Sequence, residues 1–413
     1  MNPLAVRPLP TRILLLTLAM LWLSLGRYAA GQVDDKAPQY EQLRQRLSQI
    51  IQYEIEQKDI PSFSIAVVAD GKTLFSDGFG FQDQEKTQPA TGKTVYRVGS
   101  ISKLLTDVAL MQLVQEGTVD MDQPVVDIIP AFSIGDAEAT NRITLRQLTQ
   151  HRAGIVREPP QGHYFDPDEP SLQQTVDSLA KTPLIYEVGT HTKYSNAGVS
   201  VVGLAVEQAS KQSHPEYVQE KILSPLQMQQ TSFLLDEVAS QDLATGWMWG
   251  YDRPNWPAPD FMLGTGPAGN LYSSVEDLAK FSRFVMGDHP TEILKPEFLS
   301  EMTSPGKDQA GNDLPYGIGF RIGNLDGMTK IGHGGAVYGF STQLEIIPQE
   351  HIAVAAASSK DGTNALVTRI CDFALRSLVA IGVVEQKLPI ERTVASKEVS
   401  TAQEDSAHGQ SSR

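Results

Sequence analysis

The sequence predicts an α/β fold (α+β): one sheet assembled from strands near both chain ends, flanked by helices, with a mainly helical region inserted in the middle. Three observations predict it. Apolar, partly β-branched runs that read as strands lie near both termini, Phe63 to Ala69 and Thr73 to Gly80 on one side, Gly339 to Ile347 and Ile352 to Ser359 on the other. Between them, apolar residues recur at the three-and-four spacing of helices. The chain has 413 residues, 41% of them apolar, which suits two domains or one large domain with an insertion.

The elements follow in order. Leu43, Leu47, Ile50, Ile51 and Ile55 give Tyr40 to Gln57 the stripe of an amphipathic helix. Asp70-Gly71 reads as the turn joining the first two strands. After Ser100, the apolar residues Ile101, Leu104, Leu105, Val108 and Met111 mark a helix, widened by Ala109, Leu110, Leu113 and Val114 until it is buried on most sides. Thr144 with Gln147 three residues on is a capping-box pattern, opening a short helix that Gly154 closes. Residues 157–170, rich in proline and acids, read as a long loop. Leu172 to Ala180, Asn196 to Ala209 and Pro215 to Leu223 read as helices. Residues 237–270 carry Gly, Pro and Trp with little periodicity, the composition of a surface segment that lines a site. Ser273 or Ser274 caps a helix to Met286, Tyr316 to Ile322 reads as a strand, and Leu366 to Ala380 as a helix.

The N-terminus reads as a signal peptide over residues 1–31. Arg7 and Arg12 precede the apolar run Ile13 to Leu25, and Ala29-Ala30-Gly31 supplies small residues for a cut before Gln32. A run of 13 residues falls short of the roughly 20 that a spanning helix needs, though an uncleaved anchor stays open. The expectation is a periplasmic or secreted protein. Cys371 is the only cysteine, so no internal disulfide can form, and its apolar neighbours at helical spacing place it in packing. Net charge is −15, which argues against nucleic acid and anionic membrane surfaces as partners. Residues 36–385 form the folded body, with sheet regions 36–98 and 265–385 around a helical region 99–264. The polar segment 386–413 reads as a disordered tail.

Three stretches carry chemistry. Ser100 and Lys103, three apart at a helix start, share one face, so a lysine of lowered pKa could take the serine's proton; Ser100 as a plain helix cap is the alternative. Ser102 has Leu105 at that spacing and lacks the partner. Tyr194-Ser195-Asn196 offers a phenol to relay a proton and an amide to orient or donate, or else a buried tyrosine and a helix cap. Gly332-His333-Gly334-Gly335-Ala336 permits close approach of a ligand to backbone, where one N–H with that of Ser100 could hold an oxyanion; a glycine-rich hairpin is the alternative. The eight histidines show no metal-ligand spacing, and no cofactor is expected.

These stretches, in this order, resemble the serine β-lactamase and penicillin-binding superfamily. Tyr-Ser-Asn in second place, and His for Lys in third, look like the class C-related branch with its DD-peptidase, D-aminopeptidase and esterase-like members. Ile60 to Lys72, Thr144 to Gly154, Pro267 to Ser274 and Tyr316 to Phe320 resemble the same family, so the likeness covers residues 40–382. It implies a β-lactamase/transpeptidase-like fold with an antiparallel sheet. It implies that Ser100 is acylated, that Lys103 takes its proton, and that Tyr194 serves as general base and acid. Asn196 would hold Lys103 and a substrate carbonyl, His333 would bond Tyr194 or a substrate carboxylate, and Gly335 and Ala336 would line the oxyanion site. The implied function is a serine hydrolase of esters, amides or D-peptides, a small molecule or peptide being the partner. A β-lactamase and a non-catalytic self-assembling or ligand-binding scaffold are the alternatives. Histidine titrates near about 6.5, so the third motif can be neutral where a lysine would be charged, which weakens binding of a β-lactam carboxylate. Specificity is expected in loops 155–170 and 237–265.

Overall fold

The computed structural model describes residues 36–238, 242–250, 255–289, 291 and 293–386. The expected signal peptide, and the expected tail from residue 387, lie outside the described residues. The body opens with helix α1 (Ala37–Lys58), whose Leu43, Leu47 and Ile51 are buried, each such side chain contributing roughly 1.5–3 kcal/mol. Strands β1 (Ser62–Ala69) and β2 (Lys72–Gly80) form the hairpin, turning at Asp70 and Gly71, both with positive φ. Short strand β3 (Val95–Arg97) leads through one 3₁₀ turn, Gly99–Ile101, into α2 (Ser102–Gln115).

The inserted region is helical, as expected. It contains α3 (Leu145–Thr149), opened by the complete Thr144/Gln147 capping box, then α4 (Leu172–Asp177) and α5 (Asn196–Ser210). The segment before residue 270 is mostly irregular but carries two short paired strands, β4 (Trp247–Trp249) and β5 (Asn255–Pro257), and one helical turn, α6 (Gly266–Gly269). Strand β6 (Tyr272–Ser274) pairs with β3, and Ser274 caps α7 (Val275–Val285) by accepting the Asp277 N–H.

Strands β7 (Arg321–Leu325), β8 (Met328–Val337), β9 (Phe340–Ile347) and β10 (Ile352–Ser358) complete the main sheet, and helix α8 (Asn364–Gln386) closes the described chain. The sheet order is β2-β1-β10-β9-β8-β7, antiparallel throughout, so the first two strands and the last four make one sheet. Alternate residues of its central strands enter two different cores. Phe63, Ile65 and Val67 pack with α1 and α8, while Ala66 and Val68 join the larger core under α2, α5 and α7. Burial on both faces is why these strands read as continuous apolar runs.

Two expectations shift. The strand expected over Tyr316–Ile322 begins only at Arg321, because Gly319 at φ +77° breaks the extended run before it. The stretch Gly332 to Ala336, for which the sequence offers close ligand approach or a glycine-rich hairpin, lies within strand β8 of the β8–β9 hairpin. Its residues 332–335 stay extended because neighbours leave no room for side chains: a Cβ on Gly335 would lie 2.0 Å from the Val98 carbonyl oxygen.

Candidate active site

The Ser100 turn, the start of α2, the start of α5 and the end of β8 converge. Lys103 lies on the first turn of α2, and its Nζ donates to Ser100 Oγ at 3.1 Å and to the Ala268 carbonyl at 2.7 Å. That carbonyl comes from α6, whose Pro267 carbonyl accepts from Thr106 one turn along α2 at 2.7 Å. Lys103 is 1% exposed. Burial in a poorly polarisable interior disfavours its charged form and lowers its pKa from 10.5 to about 7, against the attraction of Glu158 and Asp107 and with the repulsion of Arg157. Ser102 does not belong to the site: its hydroxyl donates to the Gly99 carbonyl and accepts from Leu271 N–H at 3.0 Å.

Tyr194 lies against this pair. Lys103 Nζ is 4.9 Å from the Tyr194 ring centroid and Arg157 Cζ 5.2 Å. Burial raises the phenol's pKa, while its hydrogen bond with Ser100 opposes the rise. The His333 ring centroid is 5.9 Å from that of Tyr194. His333 Nδ1–H donates to the Gly334 carbonyl at 2.7 Å, and Nε2 is buried without a partner. Burial, reinforced by Lys103, lowers the His333 pKa to about 3, so the ring is neutral at pH 7. The structure therefore brings together Ser100, Lys103, Tyr194 and His333, but His333 bonds its own strand rather than Tyr194.

Asn196 departs further from expectation. Its Nδ2 donates to Glu158 Oε1 at 2.6 Å, its Oδ1 is buried without a partner, and it does not bond Lys103. The charged Glu158 carboxylate is a strong acceptor for the amide N–H, and the amide oxygen that a lysine would meet is left unbonded. Nor does Asn196 cap α5; the Ser195 hydroxyl does, accepting the Gly198 N–H at 2.8 Å.

One backbone N–H beside the Ser100 turn is not taken up by the sheet. The β8–β9 hairpin turns through two residues between Val337 and Phe340, which makes those two a hydrogen-bonded pair. Alternation along an antiparallel ladder then aims the Ala336 N–H away from β9. Strand β7 reaches only as far as Gly332, so nothing in the sheet takes that N–H. What faces it is the Ser100 turn: a Cβ on Gly99, at φ +53°, would stand 3.1 Å from Ala336 N. Gly335 is the residue that lets this approach happen, its α-carbon lying against the Val98 carbonyl and the Thr342 hydroxyl.

A cavity of about 720 Å³ borders Ala336, walled by Tyr164, Trp249, Phe340, Asp361 and Asn364. The two irregular segments singled out in the sequence meet on this side. The Tyr164 ring stacks on Tyr338 at 4.2 Å, Phe261 lies 5.5 Å from Tyr338, and the Tyr338 hydroxyl donates to the Tyr164 carbonyl.

Sequence reasoning missed three neighbours of the site. His151, at φ +57°, packs its buried ring on Tyr194 at 4.5 Å and edge-on to Tyr316 at 4.8 Å. It lay inside the Thr144–Gly154 stretch that carried the family likeness, which was the available signal. Arg157 and Glu158 sit in an irregular, proline-rich loop that gives no periodicity to read. Among the described residues no cluster of His, Cys, Asp or Glu has the geometry of a metal site. No helix among them is long and apolar enough to cross a membrane.

Comparison with known proteins adds to this geometry. The family model described as Beta-lactamase matches residues 47–373. Protein flp of Staphylococcus aureus strain MW2 is 25% identical over 318 residues, which make up 76% of this chain and 63% of that protein. Beta-lactamase-like protein 2 of Dictyostelium discoideum is 30% identical over 325 residues, 76% of this chain and 59% of that protein. The chain thus spans less than two thirds of the length of these relatives. Among solved structures, the octameric penicillin-binding protein homologue from Pyrococcus abyssi superposes with a TM-score of 0.71 at 27% identity, covering 81% of this chain and 77% of that one. D-amino acid amidase from Ochrobactrum anthropi SV3 shares the fold, with a TM-score of 0.69 at 20% identity over 82% of this chain and 99% of that one.

Proposed function

Since the chain belongs to the Beta-lactamase family, whose superfamily comprises serine hydrolases, we propose that it hydrolyses esters, amides or D-peptides through an acyl-enzyme on Ser100. The observation that carries this reading is the buried Lys103 amine, 3.1 Å from the Ser100 hydroxyl with a pKa lowered to about 7. A base poised near the working pH is half free to accept a proton and still strong enough to take one.

Ser100 Oγ attacks the substrate carbonyl as its proton passes to Lys103. The N–H groups of Ser100 and Ala336 hold the developing oxyanion, a contribution worth about 2.7–4 kcal/mol per donor in comparable sites. Tyr194 carries the proton on to the leaving group. Water then attacks the acyl-enzyme with Lys103 and Tyr194 in reversed roles. This cycle uses no metal or cofactor. The N-terminal segment supports export to the periplasm or beyond, and a small molecule or peptide is the partner.

A β-lactamase is the second reading, and the neutral His333 counts against it. With a pKa of about 3 the ring offers no fixed cation to a β-lactam carboxylate. A non-catalytic scaffold is the third, and a lysine kept buried at the cost of its charge counts against that.

Hydrolysis of p-nitrophenyl acetate by the parent, Ser100→Ala and Ser102→Ala proteins tests the proposal. We expect Ser100→Ala to lose at least ~100-fold in kcat/KM and Ser102→Ala to retain turnover. Turnover that survives Ser100→Ala would refute it.

A further inference from the structure

A second cavity, of about 200 Å³, lies against α6, the turn whose Ala268 carbonyl accepts from Lys103. It shares no wall residue with the cavity at Ala336. Its walls come from segments far apart in sequence: Leu172 at the start of α4, Glu207 in the last turn of α5, then Pro215, Phe233, Leu234 and Met262. Leu234 is 40% exposed, so the cavity reaches solvent on that side. Most of these side chains are apolar, and one carries a charge. His214, the other titratable group of the wall, is buried, and burial lowers its pKa to about 3, so its ring is neutral at pH 7.

The charged group is Glu207. It is half-buried, and a carboxylate oxygen, Oε1, accepts the His214 N–H at 2.8 Å. No cation pairs with it among the described residues, and the Glu216 carboxylate adds like charge nearby. Burial raises its pKa from 4.5, the His214 N–H opposes the rise, and Glu216 adds to it. A carboxylate so placed gains from any cation that reaches it, because the cation offsets both the lost water and the neighbouring charge.

We propose that this cavity is a binding site for a small organic cation, one aromatic ring or short alkyl chain carrying an ammonium group. An apolar cavity of roughly 150 Å³ is enough to hold benzene, so this one has room for a ring and a short polar arm. The ring rests among Leu172, Phe233 and Met262, and the ammonium donates to the Glu207 carboxylate as a charge-assisted hydrogen bond. An anionic ligand of the same shape meets the like charges of Glu207 and Glu216. An uncharged one fills the apolar walls but leaves Glu207 without a cation. An occupant also lies against Pro267 of α6, whose carbonyl accepts from Thr106 on α2.

The test titrates the full chain with benzylamine and with benzyl alcohol at pH 7.5 and follows binding by ligand-observed NMR. The two probes share a ring and differ in charge. We expect benzylamine to bind ~10-fold or more tightly than benzyl alcohol. Glu207→Gln keeps the side-chain shape and an oxygen for the His214 N–H, and it should bring the two probes to within about twofold of each other. Leu234→Trp places a larger side chain at the exposed wall and should weaken both probes, which assigns the binding to this cavity rather than to the one at Ala336. Thermal unfolding verifies that each variant is folded. Equal affinity of the two probes, a preference unmoved by Glu207→Gln, binding of both probes unmoved by Leu234→Trp, or no binding of either at millimolar concentration would overturn the proposal.

Discussion

Replacing Lys103 by methionine should make the protein more stable while removing its activity, and the gain should depend on pH in a way that identifies the lysine. The amine is 1% exposed, and its pKa falls from 10.5 to about 7 on folding. Between those values the unfolded chain holds a proton that the folded chain has released. Above pH 10.5 both states are neutral and the lysine costs nothing by this route. As pH falls below 10.5, the folded state loses about 1.4 kcal/mol relative to the unfolded one per pH unit, and the loss levels off below about 7. The accumulated cost at pH 7 is roughly 4 kcal/mol, from which the hydrogen bonds to Ser100 and Ala268 subtract about 1 kcal/mol each. Lys103→Met, similar in length and uncharged, should therefore gain about 2 kcal/mol at pH 7. Urea unfolding of both proteins from pH 7 to 10 reads this out. We expect the advantage of the methionine protein to shrink with rising pH and to reverse near about pH 9, where the remaining protonation cost has fallen to the roughly 2 kcal/mol of the lost hydrogen bonds. A stability difference that stays constant across that range, or a methionine protein less stable at pH 7, would refute the reasoning.

Three further outcomes follow from the same geometry. Gly99→Ala forces φ +53° on a residue with a Cβ, at about 1–2 kcal/mol, and presses that Cβ to 3.1 Å from Ala336 N; we expect kcat for p-nitrophenyl acetate to fall ~10–100-fold with only a few degrees lost in melting temperature. Ser102→Ala removes a buried hydroxyl that bridges the Gly99 carbonyl and the Leu271 N–H, so urea unfolding should register a loss of about 1–3 kcal/mol while acylation of Ser100 continues. Tyr194→Phe keeps the ring packed on His151 and removes the phenol, and stopped-flow acylation should slow ~100-fold or more with the melting temperature nearly unchanged.

The sequence carried the Ser100 turn and the helices around it in legible form, because those signals are local. Thr144 with Gln147 predicts a capping box and makes one, and the apolar stripe after Ser100 predicts a helix buried nearly all round. The two sheet ends were legible for the same reason. Strand β8 was not. Its glycines break a strand pattern by propensity, yet they are required by contacts with Val98, distant in sequence, and with Thr342, Gln343 and Leu344 across the hairpin. Asn196 is legible from its place beside Tyr194, but its partner Glu158 is not. Glu158 lies 38 residues earlier in an irregular loop, and only the folded chain places it at Asn196. Motifs thus single out side chains that the fold brings together, while the orientation of each polar group depends on neighbours that no local pattern encodes.

The central claim is that Ser100 is an acylable nucleophile, and intact mass spectrometry tests it most directly. The parent protein and Ser100→Ala would be incubated briefly with p-nitrophenyl acetate and quenched in acid, which slows deacylation. One added acetyl group is expected on the parent, mapped to the peptide holding Ser100, and none on the variant at that peptide. Rapid release of p-nitrophenol by the parent with no acyl group trapped at Ser100, and the same rate from Ser100→Ala, would contradict it.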